Sequence, residues 1–109
     1  MPDRMLIVAR LRPGGASQVA QLFADSDATE LPHALGVTRR ELFAYHDLYF
    51  HHVEFAGDPA GAMRLARERS DFARLSEELS PYVHPFDPQT WRSPADAMAG
   101  RFYSWQAER

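Results

Sequence analysis

The chain has 109 residues, an apolar share of 45%, a charged share of 25% and a net charge of −3. These values describe one globular domain, residues 1–109, long enough for a two-layer core. Cysteine and lysine are both absent, so disulfides, thiolate catalysis and cysteine-ligated metals are excluded, and the lack of a basic stripe argues against nucleic-acid binding.

Taken in chain order, "RMLIVARLR" (Arg4–Arg12) is a short branched apolar run between arginines and reads as a strand, broken by "PGG" at Pro13–Gly15. The N-terminal "MPDRMLIVARLRP" is too short in apolar residues for a signal peptide, and no stretch approaches a membrane span. A cytoplasmic protein without membrane contact is expected. Ala16, Val19, Ala20, Leu22 and Phe23 recur at helical spacing and predict an amphipathic helix ending near Ser26. "DATELPHALG" (Asp27–Gly36) reads as a connection with room for one helical turn.

"VTRRELFAYHDLYFHHVEFAG" (Val37–Gly57) predicts two strands around a turn at His46-Asp47, although that pair lacks the Asn-Gly or Asp-Gly signature. Asp58 as N-cap and Pro59 at the first position start a helix with Ala62, Leu65, Ala66, Phe72, Leu75 and Leu79 apolar, and Ser70 is a candidate cap for a second segment. "SPYVHPFDPQTWRSP" (Ser80–Pro94) reads as a long loop, and "GRFYSWQA" (Gly100–Ala107) as a last strand. The order β-α-β-β-α-β predicts an α+β, ferredoxin-like fold, a four-stranded antiparallel sheet with helices on one face.

With a two-residue turn, Tyr45 opposes Leu48, Ala44 opposes Tyr49, Leu42 opposes His51 and Arg40 opposes Val53. Arg40, Leu42, Ala44, Tyr49, His51 and Val53 then share one face. That face is mostly apolar, with one arginine and one histidine set diagonally, as in an interior cavity. The other face carries Arg39 opposite Glu54 and Glu41 opposite His52, with aromatics toward the turn, and suits a solvated or dimer-facing surface. Because neighbouring His51 and His52 point to opposite faces, "HDLYFHH" does not read as a metal site.

Four motifs taken together carry a resemblance: "DATELP" (Asp27–Pro32), "GVTRR" (Gly36–Arg40), "FAYHDLYFH" (Phe43–His51) and "FYSW" (Phe102–Trp105). The sequence resembles the small aromatic polyketide cyclases of the tetracenomycin type, from actinomycete type II polyketide pathways, over essentially its whole length. The resemblance implies a dimeric protein with a pocket between sheet and helices and no cofactor. It implies intramolecular aldol cyclisation, with loss of water, of a poly-β-ketone or partly cyclised intermediate, in antibiotic or spore-pigment biosynthesis. The implied partners are the polyketide substrate, free or held on an acyl carrier protein, the minimal polyketide synthase and a second copy of the chain.

In that family the residues matching Asp27, Arg40 and His51 are associated with the pocket, and all three are present here. Relatives can carry histidine where this chain has Ser26, and a serine cannot do imidazole acid–base work near neutral pH. From the residues themselves, an arginine on an apolar face either stabilises charge on a ketone or enolate oxygen or forms an ion pair with an acid such as Asp27. His51 is a proton-transfer group or a satisfied core histidine. Asp27 alone reads as a capping or turn aspartate. Tyr49 and Leu42 lie on the pocket face, Tyr49 as core or as a ring that stacks on a flat substrate. Trp91, Phe86 and Tyr82 form an aromatic lid or pin their loop to the core. Arg64, Arg67, Arg69 and Arg74 are a solvated helix face or a surface for an acidic carrier protein. Two rival functions stay open: a cofactor-independent monooxygenase and a non-catalytic steering subunit.

Overall fold

The computed structural model describes residues 3–90 and 94–108. Strand β1 (Asp3–Leu11) stops at Pro13–Gly15, where Gly14 takes φ 76°, a conformation that glycine adopts without steric cost. Helix α1 (Ala16–Asp27) buries Val19 and Phe23. Its end is joined tightly to the five-residue helix α2 (Leu31–Leu35). The Thr29 hydroxyl donates to the Ser26 carbonyl at 2.6 Å and accepts the Leu31 N–H at 3.2 Å, which holds the corner beside Asp27. Gly36, at φ 76°, closes α2 in the left-handed conformation typical of helix C-termini.

Strands β2 (Val37–Tyr45) and β3 (Leu48–Phe55) form the expected hairpin in the expected register: Tyr45 pairs with Leu48, Ala44 with Tyr49, Leu42 with His51, Arg40 with Val53 and Arg39 with Glu54. A bulge between Val37 and Arg39 perturbs its open end. The turn needs a positive φ, and His46 supplies it at 56°. Tertiary contacts replace the missing Asn-Gly chemistry. Asp47 takes the Arg10 guanidinium at 2.8 Å, and its carbonyl accepts the Leu11 N–H at 2.7 Å.

Helix α3 (Pro59–Arg67) begins as expected, with the Asp58 carboxylate accepting the N–H groups of Ala60 and Gly61. The chain breaks before α4 (Ser70–Leu79), but the residue at the cap is Arg69, in extended conformation and without a side-chain cap; Ser70 is already helical. The fourth strand departs from expectation. It is the two-residue β4 (Val83–His84), inside the segment read as loop, and it pairs with Arg10–Leu11 of β1. Residues 100–107, the segment read as a strand, have no regular structure and are exposed; Phe102 is 99% exposed. A 3₁₀ turn (Pro94–Ala97) leads Met98 and Ala99 along the free edge of β1, where Ala99 N–H donates to the Leu6 carbonyl at 2.7 Å.

The sheet is antiparallel in the order β2-β3-β1-β4. Its inner face carries Met5, Ala9, Leu11, Tyr49, His51, Val53 and Phe55, all buried. The core falls into two clusters. One joins Ala9, Leu11 and Tyr49 to Val19, Phe23, Leu31 and Leu75 of the helices, and the other joins Met5, Val53 and Phe55 to Ala62. A fully buried side chain of this size contributes about 1.5–3 kcal/mol, so the face must be covered; what it covers incompletely becomes the cavity below. No helix among the described residues is long and apolar enough to cross a membrane.

Candidate active site

The β2–β3 register sets Arg40 and His51 on the inner face, diagonally across the two strands. Asp27, the last residue of α1, meets them from above. The Arg40 Nε donates to the Asp27 carboxylate at 3.0 and 3.2 Å, and Nη2 donates to Oδ1 at 2.9 Å. The third nitrogen, Nη1, lies 2.8 Å from His51 Nε2. A guanidinium can only donate, so His51 Nε2 is the acceptor, and the ring is neutral with its proton on Nδ1. Burial, then the charge of Arg40, then that of His52, lowers the His51 pKa to about 3.

The Arg40 side chain is 16% exposed and that of Asp27 is 37% exposed. The cation therefore sits inside while its counter-charge touches solvent, a half-desolvated pair held by three bonds rather than one. Of five guanidinium N–H groups, three are engaged in this way. One on each of Nη1 and Nη2 has no partner among the described residues.

These side chains open onto a cavity of about 450 Å³ between the sheet and the helices, lined by Arg40, His51 and Tyr49 and walled mainly by apolar side chains such as Phe23, Leu35, Val53, Phe55, Phe72 and Leu75. Tyr49 is buried, and burial pushes its phenol well above the usual range, so it stays a protonated hydroxyl. At the rim, Ser76, Ser80 and His84 add polar groups.

The other expected residues are distributed differently. Ser26 lines a separate cleft of about 470 Å³ between α1 and α4, together with Asp25, Glu30, Asp71, Arg74 and Glu78. One helical step turns a side chain by about 100° from its neighbour, so Ser26 and Asp27 diverge. Leu42 shares the inner face but packs, half-buried, against the core rather than lining the cavity. Phe86 is 51% exposed and lies under the Arg10 guanidinium, 4.6 Å from its carbon to the ring centre, outside the cavity lining. Trp91 lies outside the described residues. Phe23 reads in the sequence only as core. Here it lies beneath Arg40 and beside His51, and its place four residues before Asp27 on α1 is the signal that could have found it.

Among the described residues no three His, Asp or Glu side chains stand together so as to hold a metal ion. The chemistry on offer is a fixed cation with two open donors, a neutral imidazole and a phenol in a largely apolar chamber; Asp27, the counter-charge of the cation, is not among the residues that line it.

The family model for polyketide synthesis cyclases matches residues 3–106. The chain is 49% identical over 102 residues to an uncharacterised protein of Streptomyces coelicolor, covering 93% of this chain and 92% of that protein. It is 44% identical over 103 residues to the polyketide synthase protein CurG of Streptomyces cyaneus, covering 94% and 96%. It is 41% identical over 107 residues to the tetracenomycin F2 cyclase of Streptomyces glaucescens, covering 98% and 97%. The crystal structure of that type-II polyketide cyclase superposes with a TM-score of 0.88, over 96% of this chain and 98% of the other.

Proposed function

The chain belongs to the polyketide synthesis cyclase family, and on that premise we propose that it closes a ring of an aromatic polyketide by intramolecular aldol addition and loss of water, without a cofactor. The observation that carries this reading is Arg40, a cation in an apolar cavity with two N–H groups left over. The unused N–H groups, one on each terminal nitrogen, are donors for the oxygens of an enolised 1,3-dicarbonyl. Charge that grows on those oxygens meets a preformed cation in a water-poor site, where such an interaction is worth most.

The proton bookkeeping follows. A methylene between two carbonyls loses its proton to Asp27, whose carboxylate has lone pairs to spare beside Arg40. The enolate carbon attacks a second carbonyl, forming the C–C bond, and the resulting alkoxide takes the proton back. Elimination of that hydroxyl with a neighbouring hydrogen releases water and leaves the ring unsaturated. His51, its Nε2 lone pair engaged by Arg40 and its pKa lowered to about 3, orients the guanidinium and is a weak base in this state. The apolar walls compact the substrate and reduce the number of competing ring closures.

The reading extends to partners. The outer sheet face exposes Leu6 and Phe43, 38% and 53% accessible, beside half-buried Val8, Leu48 and Phe50, which suits a second copy of the chain. An acyl carrier protein would meet Arg64 and Arg67 of α3; Arg69 is instead engaged by Asp71, and Arg74 lines an acid-rich cleft.

The test is reconstitution with a minimal type II polyketide synthase, with and without this protein and with and without oxygen. A new dehydrated ring pattern formed equally without oxygen supports the cyclase. A product that gains oxygen and requires O₂ replaces it with a monooxygenase, and a higher yield with the same ring pattern replaces it with a steering subunit. The ring pattern also reads which aromatic polyketide, spore pigment included, the protein serves.

A further inference from the structure

We propose that Phe23 is a positioning residue of this site: one ring holds both the Arg40 guanidinium and the His51 imidazole in their working orientations. The guanidinium carbon lies over the Phe23 ring, 4.8 Å from its centre. The His51 ring meets Phe23 in an edge-type pair, centroids 5.1 Å apart and planes at 64°. Phe23 is 6% exposed and lines the same cavity.

Three elements converge on it. Phe23 and Asp27 lie four residues apart on α1, so the last turn of this helix carries to Arg40 both its carboxylate and its aromatic seat. Arg40 comes from β2 and His51 from β3. Asp27 holds the guanidinium through Nε and Nη2, and His51 holds it through Nη1. Phe23 adds a contact of a different kind, its ring beneath the guanidinium carbon, with a cation–π attraction that strengthens where water is scarce. The same ring limits how far the imidazole can tilt, which keeps Nε2 aimed at Nη1. An aliphatic side chain of similar size would fill the space and supply neither the quadrupole nor the flat wall.

The catalytic arm of this inference rests on the cyclase reading; the spectroscopic arm does not. The experiment compares wild type, Phe23→Leu and Phe23→Tyr, with Phe23→Met standing in should the leucine variant not fold. Turnover is measured with reconstituted polyketide substrate, and the imidazole nitrogens of His51 are followed by ¹⁵N NMR on the free protein between about pH 5 and 8. In wild type, with Arg40, Asp27, Tyr49 and His52 the ionisable groups around it, His51 should remain the non-titrating Nδ1–H tautomer. In Phe23→Leu, folded by circular dichroism, kcat should fall about tenfold or more, with KM changed less, and His51 should titrate or mix tautomers. Phe23→Tyr, which keeps the ring, should restore most of both. A leucine variant whose His51 spectrum matches wild type overturns the proposal whatever its rate, and so does a tyrosine variant no better than leucine. If wild type itself cyclises nothing, the cyclase reading fails, and the NMR comparison alone decides the role of Phe23.

Discussion

His51 and His52 are neighbours in one strand, and they live in different media. His51 is 8% exposed on the inner face, wedged among Arg40, Phe23 and Tyr49. His52 lies half-buried on the outer face between two carboxylates, 3.8 Å from Glu41 and 4.0 Å from Glu54, with Arg39 completing the row. The pleat alone makes this separation, since successive residues of a strand face opposite ways. What surrounds each ring then sets its chemistry. Inside, desolvation and a fixed cation hold an imidazole neutral. Outside, solvent weakens every pair. The contrast predicts that equal substitutions on the two faces have unequal effects.

The largest should come from Arg40→Ala, which removes the cation and orphans His51 Nε2. A loss of about 10²–10³-fold in cyclisation rate is expected, read as the rate of ring formation, with folding checked by circular dichroism. Arg40→Lys keeps the charge but not the fork, and should recover only a small part. A protein that keeps its ring selectivity after Arg40→Ala would make the inner pair structural and erase the contrast.

Next is the pH dependence of stability. The folded-state pKa of His51 lies below its ordinary value, at about 3. Below about pH 6.5 the unfolded chain binds a proton that the native state refuses, so stability falls as pH drops through the unfolded pKa and the loss saturates below the folded one. Between pH 7 and 5 this single group should cost about 2 kcal/mol. Denaturant unfolding at both pH values should show that slope in wild type and a shallower one in His51→Gln. Identical slopes would mean that His51 binds protons equally in the folded and unfolded chain.

Phe43→Glu on the outer face should lower the oligomeric state seen by sedimentation at micromolar concentration while leaving the His51 spectrum unchanged. A monomeric wild type would remove the outer face from the argument. The smallest effect should be His52→Gln, within about 1 kcal/mol of wild type, because its contacts to Glu41 and Glu54 are long, at 3.8 and 4.0 Å, and only partly removed from solvent, measured by the urea midpoint. A larger loss would show that the outer row is sealed from water in solution.

The hairpin register was legible because alternation over a long apolar–polar pattern admits one pairing that buries the apolar set; a slip by one residue would have put Val53 and Tyr49 in water. The fourth strand was not legible. Val83–His84 is two residues long and sits among prolines, so it carries no period, and its partner on β1 supplies the reason for its conformation. The aromatic run at the C-terminus has strand composition but pairs with nothing beyond Ala99 among the described residues, and composition cannot report a partner.

For the site, the sequence by itself determined which residues share the inner face of β2 and β3, and so brought Arg40 and His51 together, because a strand's period of two is a local property of the backbone. It also carried, through motif resemblance, the family to which the chain belongs. Only the tertiary structure decided that Asp27 clasps Arg40 while Ser26, one residue earlier, turns into another cleft, and that Phe23 lies under the cation. Those depend on how α1 is rotated and seated on the sheet. That seating is set by packing between elements distant in the chain, which no local pattern encodes.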